Sequence, residues 1–137
     1  MSYNLRRPAK EVDRYMAQFK AVHPVLPARN VNESVRYYTE NLGFRLVFQD
    51  SDQEPRYACV VRDGIELHIQ WHDEADFTSV EKLALRFVID DVDALFEEYA
   101  DKSVFHSRTA LRDTPWGTRE FAFYDLNGNG LFFYRPL

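Results

Sequence analysis

The chain of 137 residues contains one cysteine, Cys59, so it can form no intrachain disulfide and no zinc knuckle. Cys59 lies inside the apolar run Tyr57-Ala58-Cys59-Val60-Val61, which reads as a buried, inert thiol. Positive charge is not in excess: 17 Lys and Arg stand against 22 Asp and Glu, for a net charge of −5. A nucleic-acid partner, which calls for a basic face, is therefore not expected. No apolar run approaches membrane length, and the N-terminus lacks the apolar core of a signal peptide. A cytoplasmic protein without a membrane partner is the expectation. The acidic balance is compatible with a cationic ligand.

What the chain does have is rings. Aromatic residues make up 15% and hydrophobic residues 45%. That is enough for the core of one domain, or of two small repeats sharing one core, with some rings left to line a cavity.

The first twenty residues are polar and charged. Val12, Tyr15, Met16 and Phe19 recur at helical spacing, which predicts a short amphipathic arm over about 9–20. Residues 21–137 then form the main domain, in two modules of about 21–75 and 80–135. In the first, residues 21–27 read as a short strand at an edge or in a swapped position, because Pro24 lacks an N–H. Asn30 and Glu33 form a capping box for a helix carrying Val31, Val35, Tyr38 and Leu42, which Gly43 ends. Strands follow at about 44–49, 56–62 and 65–72, with a turn at Asp63-Gly64. In the last of these Glu66, His68, Gln70 and His72 alternate with Ile65, Leu67, Ile69 and Trp71, so the polar set shares one face. That face is either solvated or a pocket wall.

Residues 73–79 read as a polar connection, after which the order repeats. A strand covers 83–89. Asp90 or Asp91 caps a helix bearing Val92, Leu95, Phe96 and Tyr99. A weaker strand is expected over 103–110 and a loop over 111–117. The chain closes with a hairpin whose turn lies within Asp125-Leu126-Asn127-Gly128-Asn129-Gly130. Each half is thus strand, helix, three strands, and the fold class is α+β with two βαβββ modules forming a curled mixed sheet.

Four stretches carry a resemblance. They are Pro24-Val25-Leu26-Pro27-Ala28-Arg29-Asn30-Val31, Tyr38-Thr39 with Leu42-Gly43-Phe44, Tyr57-Ala58-Cys59-Val60-Val61-Arg62-Asp63, and Pro115-Trp116-Gly117 followed by Arg119-Glu120-Phe121-Ala122. In order and spacing the chain resembles the glyoxalase/bleomycin-resistance/dioxygenase group, the vicinal-oxygen-chelate superfamily, over roughly residues 21–135. Within it the motifs are most similar to those of bleomycin resistance proteins. The resemblance implies a homodimer with ligand crevices between subunits. It further implies sequestration of a cationic glycopeptide antibiotic without alteration.

Enzymes of that superfamily hold a divalent metal at four equivalent strand positions. These map to His23, Glu66, Ala84 and Phe132, and the last two side chains offer no lone pair. His68 lies two residues beyond Glu66 on the same face, about 7 Å away by strand rise. The expectation is therefore no metal, no cofactor, no catalytic residue and no enzymatic activity. The alternatives are a divalent-metal lyase or dioxygenase, or a binder of another small aromatic or cationic molecule. The resemblance places Phe48, Tyr57 and Trp116 against the ligand. Glu66, His68, Gln70, Arg86, Arg119, Phe121 and Phe132 complete the expected ligand-binding set, with Glu66 and Arg86 forming an ion pair across the floor.

Overall fold

The computed structural model describes residues 16–137. From Met16 to Pro24 the backbone forms neither helix nor strand, and Met16 and Phe19 are fully exposed. The helix expected over 9–20 has no counterpart in 16–20, and the rest of it lies outside the described residues.

The first half runs β1 (Val25–Ala28), α1 (Val31–Arg36, continued by a π-helical turn over Tyr37–Asn41), β2 (Arg45–Gln49), β3 (Tyr57–Arg62) and β4 (Ile65–Trp71). The second runs α2 (Glu74–Ser79), β5 (Ala84–Val88), α3 (Val92–Ala100), β6 (Arg112–Asp113), β7 (Thr118–Tyr124) and β8 (Gly130–Pro136). Two four-stranded mixed sheets result, ordered β1-β4-β3-β2 and β5-β8-β7-β6. In each the first strand runs parallel to the last, and the other pairs are antiparallel.

Local chemistry explains most boundaries. Asn30 Oδ1 accepts the Glu33 N–H at 3.0 Å and so caps α1. Gly43 ends that helical segment at φ +81°, where a Cβ would also fall 2.6 Å from Arg62 Nη1. Asp63 and Gly64 both take positive φ, which the tight β3–β4 hairpin demands. Asp91, rather than Asp90, caps α3 by accepting the Ala94 N–H.

Three expectations are corrected. Residues 73–79 are not a mere connection. Asp73 accepts the Asp76 N–H at 2.9 Å and starts α2, whose Phe77 is buried. The strand expected over 103–110 is absent, and within 103–117 only Arg112–Asp113 pair with β7. There Val104 turns into the core, Phe105 packs on Phe96, and Thr109 Oγ1 donates to the Ala122 carbonyl at 2.9 Å. A side-chain bond thus takes the place of a ladder bond. Strand β1 begins at Val25 instead of residue 21, although Pro24 already accepts the His68 N–H at 2.9 Å.

One core runs through both halves, from Leu26, Val35, Tyr38 and Phe44 to Tyr99, Phe121 and Phe133. The hairpin of each half packs on the helix of the other. Tyr38 Oη donates to Asp125 Oδ2 at 2.7 Å, and Asn127 Nδ2 to Ser34 Oγ at 2.8 Å. On the other side Arg62 donates to both Glu98 oxygens at 2.7 and 2.9 Å, and Tyr99 Oη to the Leu42 carbonyl at 2.8 Å. With one face of each sheet spent on this core, strand alternation leaves the opposite face of each sheet open.

Candidate ligand-binding site

The open face of the first sheet is built by β4, β3 and β2. Strand β4 contributes Glu66, His68 and Gln70. In register, His68 faces Cys59 and Gln70 faces Tyr57 on β3. A register shift between Leu46 and Phe48 brings Phe48 opposite Cys59 on the same face. Phe48, 47% exposed, stacks on Tyr57 at 6.3 Å between ring centroids and 18° between planes. This leaves a ring surface with no partner above it among the described residues.

Beneath the rings lies a tight polar cluster. The Tyr57 hydroxyl is 2.5 Å from His68 Nδ1. His68 Nε2 is buried, has no hydrogen-bond partner among the described residues, and stands 3.9 Å from Glu66 Oε1. That is well short of the separation expected from strand rise, because both side chains lean along the strand toward each other. His23 Nε2 touches Glu66 Oε2, and the His23 and His68 rings stack at 4.7 Å. The buried Cys59 thiol donates to Glu66 Oε1 at 2.9 Å. That hydrogen bond holds the Glu66 carboxyl below the usual range against the upward push of burial, with the two histidines helping. Conversely, burial and then Glu66 push the thiol up to about 12, which disfavours the thiolate.

The second sheet's open face centres on Arg86 of β5, which lies in register with Phe132 of β8. Phe132 in turn lies opposite Ala122 of β7. The Arg86 guanidinium sits 4.3 Å from the Tyr134 ring centroid and 5.7 Å from that of Phe132. Its Nη2 donates to Glu120 Oε2 at 3.1 Å, and the same oxygen accepts Thr118 Oγ1 at 2.7 Å. The expected Glu66–Arg86 pair therefore does not form: Glu66 is held by Cys59 and His23, and Arg86 by Glu120. Both line one cleft of about 920 Å³, which opens between the free edge of β5 and the residues leading into β1.

Two expected residues lie on the other side of β7. Arg119 donates to Asp93 at 2.9 and 3.1 Å and to Asp113 at 2.9 Å. Phe121, 2% exposed, packs among Phe96, Tyr99 and Phe133. Neither faces the open side. Strand parity gives the reason: Glu120 and Ala122 take that side, so Arg119 and Phe121 must take the core side. The partner of Arg86, Glu120, was the missed residue, and the signal for it was its odd charge within an aromatic strand. Tyr134 was missed as well.

Trp116 stands at the turn before β7, mostly exposed, with the Arg112 guanidinium 5.7 Å from its ring centroid. Arg108 and Arg112 border a second cavity of about 410 Å³, floored by Ala122 and Phe132.

A metal centre shared between the modules does not fit these side chains. Phe132 has Arg86 as its strand partner, while Ala84 faces Gly130. The position expected to be Ala84 is thus filled by Arg86, and neither a guanidinium nor a phenyl ring can donate a lone pair to a cation.

Comparison with known proteins accords with this architecture. Residues 20–133 match the family model of the Glyoxalase/Bleomycin resistance protein/Dioxygenase superfamily. A bleomycin resistance protein from Geobacillus stearothermophilus is 23% identical, with 83% of this chain and 95% of that protein covered. The bleomycin-binding protein of Streptomyces verticillus, solved with copper(II)-bleomycin, is 29% identical. It superposes with a TM-score of 0.73 over 89% of this chain and 100% of that one. An antibiotic-binding protein from a Streptomyces species shares the fold, with a TM-score of 0.70, 24% identity, and coverage of 90% and 100%. The chain belongs to the glyoxalase/bleomycin resistance/dioxygenase superfamily and has the vicinal-oxygen-chelate fold. No helix among the described residues is long and apolar enough to cross a membrane.

Proposed function

We propose that this protein captures a bleomycin-type glycopeptide antibiotic and holds it chemically unchanged, with no metal needed for capture. The observation that carries the reading is the open Phe48–Tyr57 stack, together with the exposed indole of Trp116. Each ring offers a planar guest about 0.5–1.5 kcal/mol beyond area burial. A cationic tail gains roughly 0.5–2 kcal/mol over the same faces. The 29% identical relative was solved with copper(II)-bleomycin, which favours this drug class. The ligand-contacting residues in this reading are Phe48, Tyr57, Glu66, His68, Gln70, Arg86, Trp116 and Phe132.

A homodimer completes the proposal. Val25, Phe48, Ile65 and Val88 are exposed apolar side chains on or beside the open sheet faces, and a second copy covering them would enclose a crevice. The domain is taken as residues 21–137, with 1–20 as an arm, in a cytoplasmic protein.

The test is a bleomycin titration of metal-free protein followed by tryptophan fluorescence, with Trp116→Phe as control because Trp71 also emits. A saturable change that the control loses supports the reading; no saturable change up to high micromolar drug counts against it. A different small aromatic ligand is the second reading. Arg86 favours it, since this cation lies between two rings and has donors beyond its one bond to Glu120. A thermal-shift panel separates the two, because a ligand that binds only the native state raises the melting temperature.

A further inference from the structure

The chain as a whole carries a net charge of −5, yet the open face of its second sheet is rich in positive charge. Strand register places the groups. Arg86 of β5 lies opposite Phe132, Phe132 opposite Ala122, and Glu120 of β7 opposite Arg112 of β6. Residues opposite each other in a ladder share a face, so all five stand on the open side.

Glu120 and Arg112 are cross-strand neighbours of opposite charge, a pairing that ladders favour. It does not form. The buried Glu120 carboxylate reaches the other way, accepting from Arg86 at 3.1 Å and from Thr118 at 2.7 Å. The other nearby acid, Asp113, turns to the opposite side and accepts from Arg119 at 2.9 Å. Arg112 is left with its guanidinium 5.7 Å from the Trp116 ring centroid. Among the described residues, neither Arg112 nor Arg108 pairs with a carboxylate.

An arginine on a convex surface is solvated and needs no partner. These two instead line a cavity of about 410 Å³ floored by Ala122 and Phe132, both partly exposed. Arg86 adds a third guanidinium 5.7 Å from the Phe132 ring centroid. An apolar floor with a few convergent polar groups is the make-up of a small-molecule site.

We propose that Arg108 and Arg112 form an anion-binding subsite, which takes the carboxylate of an aromatic acid whose ring lies against Phe132. A guanidinium offers donors in a fixed fork that matches a carboxylate, and the charge strengthens each bond. Neither arginine belongs to the ligand-binding set expected from the sequence. The subsite goes beyond capture of a cationic glycopeptide: it selects the opposite charge and makes no use of the Phe48–Tyr57 stack.

Isothermal titration of the full chain with 2-naphthoate, and with its uncharged analogue 2-naphthamide, tests this. The expected result is an affinity about tenfold higher for the acid, a preference that added salt erodes. The double variant Arg108→Gln, Arg112→Gln loses the preference and binds both compounds as the unaltered protein binds the amide. No binding of 2-naphthoate, equal affinities for the two compounds, or a preference intact in the double variant overturns the proposal. Should the variant fail to fold, arginine labelling of the unaltered protein with phenylglyoxal decides. Protection of Arg108 and Arg112 by 2-naphthoate, with the exposed Arg45 of the first sheet still labelled, supports the subsite. Unprotected labelling of both overturns it. The bleomycin titration reads a different ligand through Trp116, so either idea can fail without the other.

Discussion

The Tyr38 hydroxyl donates to Asp125 Oδ2 at 2.7 Å, although the two residues lie 87 apart in sequence. This bond joins the helix of the first module to the closing hairpin of the second. Asp125 Oδ1 simultaneously accepts the Asn127 and Asn129 N–H groups, so one buried carboxylate shapes the turn and docks it. Burial and then the neighbouring Asp125 push the Tyr38 hydroxyl well above its ordinary pKa.

Removing that carboxylate should be expensive. Asp125→Ala strips partners from two backbone N–H groups, from Tyr38 and from Asn129, and an expected loss of about 3 kcal/mol follows. Tyr38→Phe removes one donor and should cost about 1–2 kcal/mol. Urea unfolding of both variants measures this. A loss below about 0.5 kcal/mol for Asp125→Ala would show that the hairpin is not docked this way.

The opposite seam has a different character. Arg62 reaches both Glu98 oxygens, the Leu42 carbonyl and the Tyr99 hydroxyl. Glu98 is partly exposed, so solvent screening reduces the ion-pair contribution. Arg62→Met keeps the aliphatic stem, and Tyr99 still satisfies Leu42. A loss of about 1 kcal/mol is expected by denaturant unfolding, smaller than that of Asp125→Ala.

Acid should act through Glu120. Burial pushes its carboxyl pKa up, but hydrogen bonds from Thr118 and Arg86 outweigh this and hold it below the usual range. A group depressed on folding contributes stability above its unfolded pKa, here about 4.3. That contribution disappears as pH falls through the lower folded-state value. Glu120→Gln should therefore lower stability at neutral pH and flatten its decline below about pH 5. Unfolding free energies across the acid range check this; parallel curves for the two proteins would contradict it.

On the ligand face, Phe48→Ala should weaken bleomycin capture with little change in stability. The ring is half exposed, stacks on Tyr57 and meets the His68 ring edge-on. A loss of about 1 kcal/mol, roughly fivefold in affinity, is expected. Isothermal titration together with thermal unfolding separates binding from folding. Unchanged affinity would remove Phe48 from the site.

Oligomeric state provides a further check. Sedimentation equilibrium should return about twice the 16.2 kDa chain mass. Val88→Glu, which places a charge on an exposed apolar strand position, should shift the protein toward the monomer. A monomer at all concentrations would leave the crevice without its second wall.

Much of this was legible along the chain. Helix caps and turns depend on neighbours within a few residues, so Asn30, Gly43 and Asp63-Gly64 declared themselves. Period-two alternation alone puts Glu66, His68 and Gln70 on one face. The same rule was hidden in β7, where Phe121, Ala122 and Phe123 run together without a polar mark. Arg119 and Phe121, expected among the ligand-binding residues, lie on the core side.

The repeated strand–helix–strand order, the paired hairpins and the family follow from the residues in line, because these rest on local propensity and on short motifs. Tertiary structure alone decided the partners. Arg86 chose Glu120 over Glu66, and His68 came to rest against His23 and Glu66. Such choices turn on which side chains meet across strands far apart in sequence, and on how each leans once buried. Spacing along one strand carries neither.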